Sequence, residues 1–174
     1  NMGTASQMNI EENMMLATRR TKKKTLKWGF NKEDREACVN KLKSLNLGLE
    51  NRLEQKVGLL SGGQRQAVTL LMATIQRPDI LLLDEHTAAL DPKTAKVVLE
   101  LTSKIVEEEK ITTLMITHNM RDAIKYGNRL IMLNEGRVIF DISGEEKKNL
   151  TVQELLEKFE KDDDIQLDDK MILG

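Results

Sequence analysis

Two stretches carry residues whose types and order suit chemistry on a phosphate group. One is Leu60-Ser61-Gly62-Gly63-Gln64-Arg65-Gln66, and the other is the apolar run Ile80-Leu81-Leu82-Leu83 followed by Asp84-Glu85. Ser61 with Gln64 three residues on is a capping-box pattern, so the first stretch reads as a loop turning into a helix. Glycine is a poor helix former, so Gly62 and Gly63 at the first helical positions need another reason. They offer bare backbone N–H groups that a bulky anion can approach, with the positive end of the helix dipole behind them. The second stretch reads as a buried strand delivering two carboxylates at its carboxyl end, where ligands of open α/β sheets sit. Strand side chains alternate, so Asp84 and Glu85 are expected on opposite sides, free to do different work. Phosphate donors with paired acids indicate nucleotide chemistry.

The elements that must hold these residues can be read from caps and periodicity. Asn9 with Glu12 opens a helix expected to run to about Thr18. Methionines cluster nearby (Met2, Met8, Met14, Met15), either as flexible core filler or as an adaptable docking surface. The run Arg19-Arg20-Thr21-Lys22-Lys23-Lys24 and Lys27-Trp28 is the one strongly basic patch. A nucleic-acid surface would interleave several aromatics with such charge, and only Trp28 is available, so a solvated loop that can feel anionic lipid is the better reading. Asn31 through Leu45 reads as a helix with Asn31 as cap, Asp34 at the third position and Gly48 as its stop. Leu49 to Val57 reads as polar connection.

The helix after Ser61 is expected to reach about Gln76, closed by Pro78. Val68, Leu71, Met72 and Ile75 form its apolar face, extended by Ala67 and Leu70, so its N-terminus is held rigidly. Asp91-Pro92 opens the next helix as cap and first residue, with Val98, Leu101 and Ile105 as its buried stripe and Glu107-Glu108-Glu109-Lys110 as its wet end. Thr113 to Thr117 reads as a second buried strand with His118 at its carboxyl end. Asn119 to Tyr126 is a short helix stopped by Gly127. Leu130 to Leu133, the turn Asn134-Glu135-Gly136 and Val138 to Phe140 form a hairpin. Thr151 to Phe159 is a small amphipathic helix, and the acidic tail from Asp162 to Asp169 is expected to be disordered.

Composition narrows the classes. The 174 residues are enough chain for one core, and a net charge of −1 creates no global field toward nucleic acid. Aromatics at 3% are few for a protein that stacks bases. A single cysteine, Cys38, excludes an internal disulfide and fits a reducing compartment. Its helical spacing with Leu42 and Leu45 points to core packing. There is no signal peptide, and no apolar run approaches the ~20 residues of a membrane helix.

In order and spacing, these motifs resemble the ABC-type ATPase domain. Leu60 to Gln64 is similar to its signature loop, Ile80 to Glu85 to its Walker B strand, His86-Thr87-Ala88-Ala89-Leu90-Asp91 to its D-loop region, and Thr117-His118 to its switch histidine. The resemblance runs from the first residues to about Phe140. It implies an α/β, P-loop NTPase-like core with a parallel sheet plus a helical subdomain. It also implies a division into helical subdomain (1–59), core (60–142) and carboxyl-terminal helix with acidic tail (143–174). ATP and Mg²⁺ are the implied ligands, and the implied assembly is a head-to-tail homodimer.

In that assembly the Ser61 hydroxyl and Gly63 N–H, in a loop completed by Gln64, would meet the γ-phosphate held by the partner copy, and Gly62 would allow the approach. Asp84 would hold Mg²⁺ largely through water, Glu85 would polarise the attacking water, His118 would contact the γ-phosphate, and Asp91 would lie at the dimer interface. Implied partners are transmembrane permease subunits and, indirectly, an extracytoplasmic substrate-binding protein, with no nucleic acid. The implied place is cytoplasmic, on the inner face of the membrane. Gly48 to Leu53, the Asp84-Glu85-His86-Thr87 form and Lys125 to Arg129 look most like bacterial importer ATPases that work with a substrate-binding lipoprotein and are thought to carry aromatic amino acids.

The sequence departs from the family pattern in two places. No phosphate loop of the form G-x-x-x-x-G-K-[ST] occurs: Gly58 and Gly63 have the glycine spacing, but Gln64 and Arg65 follow. With a chain opening on Asn1, the expectation is a carboxyl-terminal part of the cassette, its phosphate loop and Q-loop glutamine lying upstream. Gln7, in the loop-like Gly3-Thr4-Ala5-Ser6-Gln7, is no substitute for that glutamine. Second, His86 stands where many cassettes have proline, and a loop-shaping role is expected rather than a catalytic one. The alternatives are a soluble ABC ATPase of translation or DNA repair, or a non-catalytic interaction module.

Overall fold

The computed structural model describes residues 3–20, 32–134 and 136–160, the side chains at 159 and 160 excepted. Met2, the lysines and Trp28 of the basic run, Asn31, Glu135, the Phe159 side chain and the acidic tail lie outside the described residues. Two units are formed, Asn1–Leu114 and Met115–Gly174.

The first unit begins with α1 (Ile10–Thr18), opened by a reciprocal capping box. The Glu12 N–H donates to Asn9 Oδ1 and the Asn9 N–H to Glu12 Oε2, both at 2.8 Å. Met14 is core, as the packing reading expects, whereas Met8 is exposed. Asn13 is fully buried and braces the preceding loop. Its Oδ1 accepts from the Ala5 N–H at 2.8 Å, and its Nδ2 donates to the carbonyls of Ala5 at 3.0 Å and Asn9 at 2.9 Å. α2 (Lys32–Ser44) buries Cys38 and Leu42 as its spacing predicts.

The connection after α2 differs from expectation. The left-handed residue that follows the helix is Asn46 (φ 54°), and Gly48 (φ 68°) instead enters a 3-10 turn at Leu49–Asn51. Asparagine tolerates this region better than most side chains, so it can close a helix without glycine. Residues 49–57 are not a plain polar link, because Leu49 and Val57 are fully buried. The stretch is also stitched to the start of the chain. Ile10 N–H donates to Gln55 O and Glu11 N–H to Leu53 O, each at 3.1 Å; Val57 N–H donates to Met8 O and Gly58 N–H to Ser6 O, each at 3.0 Å. These bonds leave no periodic pattern in the sequence because they are non-local.

α3 (Gly62–Thr74), β1 (Ile80–Asp84), α4 (Pro92–Glu109) and β2 (Thr112–Ile116) follow. β1 and β2 are hydrogen-bonded neighbours joined through α4, the long helical connection that parallel strands need. Neither strand is buried on both faces, which corrects the sequence expectation. Leu81 and Leu83 are core, but Ile80 and Leu82 are 54% and 66% exposed, and Leu114 and Ile116 are about equally open. A continuous apolar run predicts two covered faces, and in this two-stranded sheet only one is packed among the described residues.

The second unit contains α5 (Met120–Lys125), β3 (Arg129–Asn134), β4 (Arg137–Ser143), α6 (Gly144–Lys148) and α7 (Val152–Glu160). The expected hairpin is present, antiparallel, with an irregular step: Met132 pairs with Phe140 but Leu133 with Val138, which leaves Ile139 as the extra residue. Leu130, Ile142 and Leu155 form the core, flanked by Met120, Ile124 and Phe140. The short α6 has no forecast in the sequence reading. Its Lys147 is 3% exposed and donates to the carbonyls of Ile124 and Tyr126 at the end of α5. Burial lowers its pKa.

Asn13→Ala in the full-length protein is expected to cost about 2 kcal/mol, because it removes the three hydrogen bonds that the buried Asn13 amide makes to Ala5 and Asn9. Urea denaturation measures this, with the exposed Asn40→Ala expected within about 0.5 kcal/mol of wild type.

Candidate functional site

The N-terminus of α3 is built as its residues predict. Ser61 Oγ accepts from the Gln64 N–H at 3.3 Å, and Gln64 Oε1 accepts from the Ser61 N–H at 3.2 Å. The Arg65 N–H already belongs to the helix through Ser61 O at 2.9 Å. The N–H groups of Gly62 and Gly63 therefore remain as the open donors of this helix end. From the side, Arg65 fastens the helix to the chain's first loop: its Nε donates to Thr4 Oγ1 at 2.7 Å.

The two glycines have a packing duty that the sequence reading did not foresee. A Cβ at Gly62 would lie 2.9 Å from Leu90 Cδ2, and one at Gly63 would overlap Thr94 Cγ2. Gly63 is buried for this reason, while Gly62 faces solvent. Helix N–H groups point along the axis and Cα hydrogens point sideways, so a buried Gly63 flank is compatible with an open donor. The start of α3 thus lies against the loop end and first turn of α4.

Asp84 ends β1 on the face it shares with Ile80 and Leu82, with its carboxylate exposed. Strand alternation does not decide where Glu85 points, contrary to expectation, because Glu85 has left the strand with a left-handed backbone (φ 41°). Such a backbone is uncommon for a non-glycine residue and persists where its surroundings hold it. Two turns do so, with Ala88 N–H donating to Glu85 O and Leu90 N–H to Thr87 O, each at 3.0 Å.

His86 adds a side-chain anchor, its Nε2 lying 3.2 Å from Thr102 Oγ1 in α4. The same Thr102 Oγ1 lies 2.8 Å from Val98 O, to which its hydroxyl donates. Burial lowers the pKa of His86. The loop-shaping role expected of it fits this contact.

Asp91 caps α4, its Oδ1 accepting from the Thr94 N–H at 3.1 Å. Hydrogen bonds from the side chain and then the backbone of Thr94 hold the Asp91 carboxyl below its ordinary range. The structure therefore places Asp84, Glu85 and Asp91 along one β1–α4 connection, and brings the glycines after Ser61 against its far end. His118 belongs to the second unit, exposed between β2 and α5. Its neighbours are fixed locally: Thr117 Oγ1 accepts from the Asn119 N–H at 3.1 Å, and Asn119 Oδ1 from the N–H groups of Arg121 and Asp122 at 3.0 and 3.2 Å. Thr94, Thr102, the Leu90–Gly62 contact and the Arg65–Thr4 pair escaped the sequence reading. Only Thr94, three residues after a cap, left a local signal.

The Asp84 carboxylate is a hard oxygen donor with no hydrogen-bond or ion-pair partner among the described residues, which fits a Mg²⁺ ion held by one carboxylate, water and phosphate oxygens. No helix among the described residues is long and apolar enough to cross a membrane.

A capped helix start packed on the loop that follows an acid-ended strand is the class of arrangement seen here, and residues 2–88 match the ABC transporter family. The chain belongs to that family. Among its relatives, the tyrosine transport ATP-binding protein of Clostridioides difficile (strain R20291) is 50% identical over 159 residues, 91% of this chain and 63% of that protein. The methionine import ATP-binding protein MetN of Streptococcus pneumoniae (strain ATCC BAA-255 / R6) is 37% identical over 77% of this chain and 36% of its own length. The zinc uptake system ATP-binding protein ZurA of Listeria innocua is 35% identical over 82% of this chain and 54% of its own. The chain spans less than two thirds of each of these relatives. A solved metal-chelate type ABC transporter in an inward-facing conformation shares the fold, with a TM-score of 0.72 at 24% identity, over 91% of this chain and 61% of that one.

The pH dependence of stability tests the His86 anchor. Its folded pKa lies below its ordinary 6.5, so the unfolded chain binds the proton first. Its contribution is whole above about pH 6.5 and is lost as pH falls through the lowered folded value. His86→Gln, which can still hydrogen-bond Thr102, is expected to show a smaller drop in thermal midpoint between about pH 7.5 and 5.5 than wild type.

Proposed function

We propose that this chain is part of the ATP-binding and hydrolysing subunit of a bacterial ABC importer. The observation that carries the reading is the capped start of α3, with two open N–H donors, seated by its glycines against the connection that carries Asp84, Glu85 and Asp91. An anion at that helix end would meet the Ser61 hydroxyl and the Gly62 and Gly63 N–H groups. A second copy of the subunit would bring the phosphate loop that holds the nucleotide, a loop these 174 residues do not contain. Bound Mg²⁺ at Asp84 supplies charge neutralisation on the phosphates. Glu85 orients and polarises the attacking water, His118 contacts the γ-phosphate, and Asp91 faces the neighbouring copy.

Residues 1–59 correspond in this reading to the helical subdomain, 60–142 to the core and 143–174 to a carboxyl-terminal appendage. The subunit would work on the inner face of the cell membrane with permease subunits, fed by an extracytoplasmic substrate-binding protein. The 50% identity to a tyrosine transport ATP-binding protein favours an aromatic amino acid as cargo.

Two substitutions in the full-length subunit test the reading. Glu85→Gln is expected to keep ATP-dependent dimerisation and lower the hydrolysis rate by at least about 100-fold, measured by phosphate release. Near-normal turnover would remove Glu85 from its role. Ser61→Arg places bulk and charge at the anion seat and is expected to abolish ATP-dependent dimerisation on a sizing column; dimerisation at the wild-type ATP concentration counts against the seat.

A further inference from the structure

The signature loop is held at both of its ends by one short stretch of chain. On the entry side, the Val57 N–H donates to Met8 O and the Gly58 N–H to Ser6 O, each at 3.0 Å. The approach is close enough that a Cβ at Gly58 would lie 2.9 Å from Ser6 O. On the exit side, Arg65 Nε donates to Thr4 Oγ1 at 2.7 Å, and Nη2 makes a longer contact of 3.5 Å with Thr4 O. Residues 4–8 therefore bridge the entry and the exit of residues 59–64. The bridge is itself braced, because the buried Asn13 amide holds Ala5 by both its N–H and its carbonyl. The two anchors differ in kind: the entry is main chain to main chain, whereas the exit depends on one pair of side chains. A cation in the first turn of a helix is opposed by the helix dipole, and the near partner of Arg65 is a neutral hydroxyl. Local helix stability does not explain its place; the anchor does.

We propose that Arg65 is a positioning residue for the anion seat. Through Thr4 it fixes the first turn of α3 to the stretch that also carries the loop's entry, so that Ser61, Gly62 and Gly63 meet the γ-phosphate of a partner copy already in place. The proposal rests on the two-copy ATPase reading above. Arg65 touches no nucleotide in it and acts through the helix start alone. With the exit anchor cut, the loop keeps one tether, closure has to order the seat, and closure needs more ATP.

The test uses the full-length subunit carrying Glu85→Gln, so that ATP is retained, and reads the ATP concentration for half-maximal dimerisation together with the thermal midpoint without nucleotide. Thr4→Val keeps the shape of the side chain and leaves the Arg65 charge in place, but removes the hydroxyl that accepts at 2.7 Å. It is expected to raise the half-maximal ATP concentration by at least about threefold, while the thermal midpoint stays within about 3 °C of the parent. Thr4→Ser restores the hydroxyl and is expected to close at the parent's ATP concentration. Closure of Thr4→Val at that concentration, or a Thr4→Ser variant as impaired as Thr4→Val, overturns the proposal.

A double-mutant cycle isolates the link. Arg65→Gln is expected to shift closure at least as far as Thr4→Val, and adding Thr4→Val to it is expected to change nothing further, because both substitutions remove one anchor. Effects that add in full overturn the proposal. A Glu85→Gln parent that does not dimerise with ATP overturns the two-copy reading and the positioning role with it. A parent that dimerises beside an unshifted Thr4→Val overturns the positioning role alone.

Discussion

The arrangement depends on one steric constraint: two helices meet at their N-terminal ends with no room for a side chain between them at Gly62 and Gly63. Helix starts carry unpaired N–H groups. Ser61 caps the Gln64 N–H in α3 and Asp91 the Thr94 N–H in α4, which leaves the Gly62 and Gly63 N–H groups open. Glycine in the first turn of a helix costs conformational entropy. Here the cost is offset because the missing Cβ lets Leu90 and Thr94 lie where they do, and the helix is stabilised further along by Val68, Leu70 and Leu71 in the core.

The same economy governs the backbone around the site. Residues 53–58 lead into the signature loop and bond to residues 6–11 through main-chain groups, with Asn13 completing the bracket from its buried amide. This matters because a loop that ends at an anion seat must not carry its own motion into it. Arg65 ties the first turn of α3 to Thr4 in that bracket. In the second unit, Lys147 does comparable work for α5, giving the last carbonyls of that helix a charged donor and so steadying the element that follows His118.

Glu85 shows how geometry and chemistry part company. Alternation along a strand would have sent it away from Asp84, but the strand ends one residue earlier. The left-handed turn at Glu85 stands between two tight turns and an imidazole anchored to α4. A strained backbone at a carboxylate proposed to polarise water is the kind of site where strain is tolerated.

Much was legible in the chain itself. Caps at Asn9, Ser61 and Asp91, the hairpin around Gly136, and the spacing of the ABC motifs all depend on residues within a few positions of one another, and local chemistry determines them. Tertiary structure decided the rest: that Gly62 and Gly63 are packing surfaces as well as donors, that Leu49 and Val57 are core, that Ile80 and Leu82 have one face open, that Glu85 turns left-handed. The physical reason is range. A hydrogen-bonded cap closes over three residues, whereas the contact between Gly63 and Thr94, like the stitching of 53–58 to 6–11, joins atoms whose neighbourhood exists only after the chain has folded.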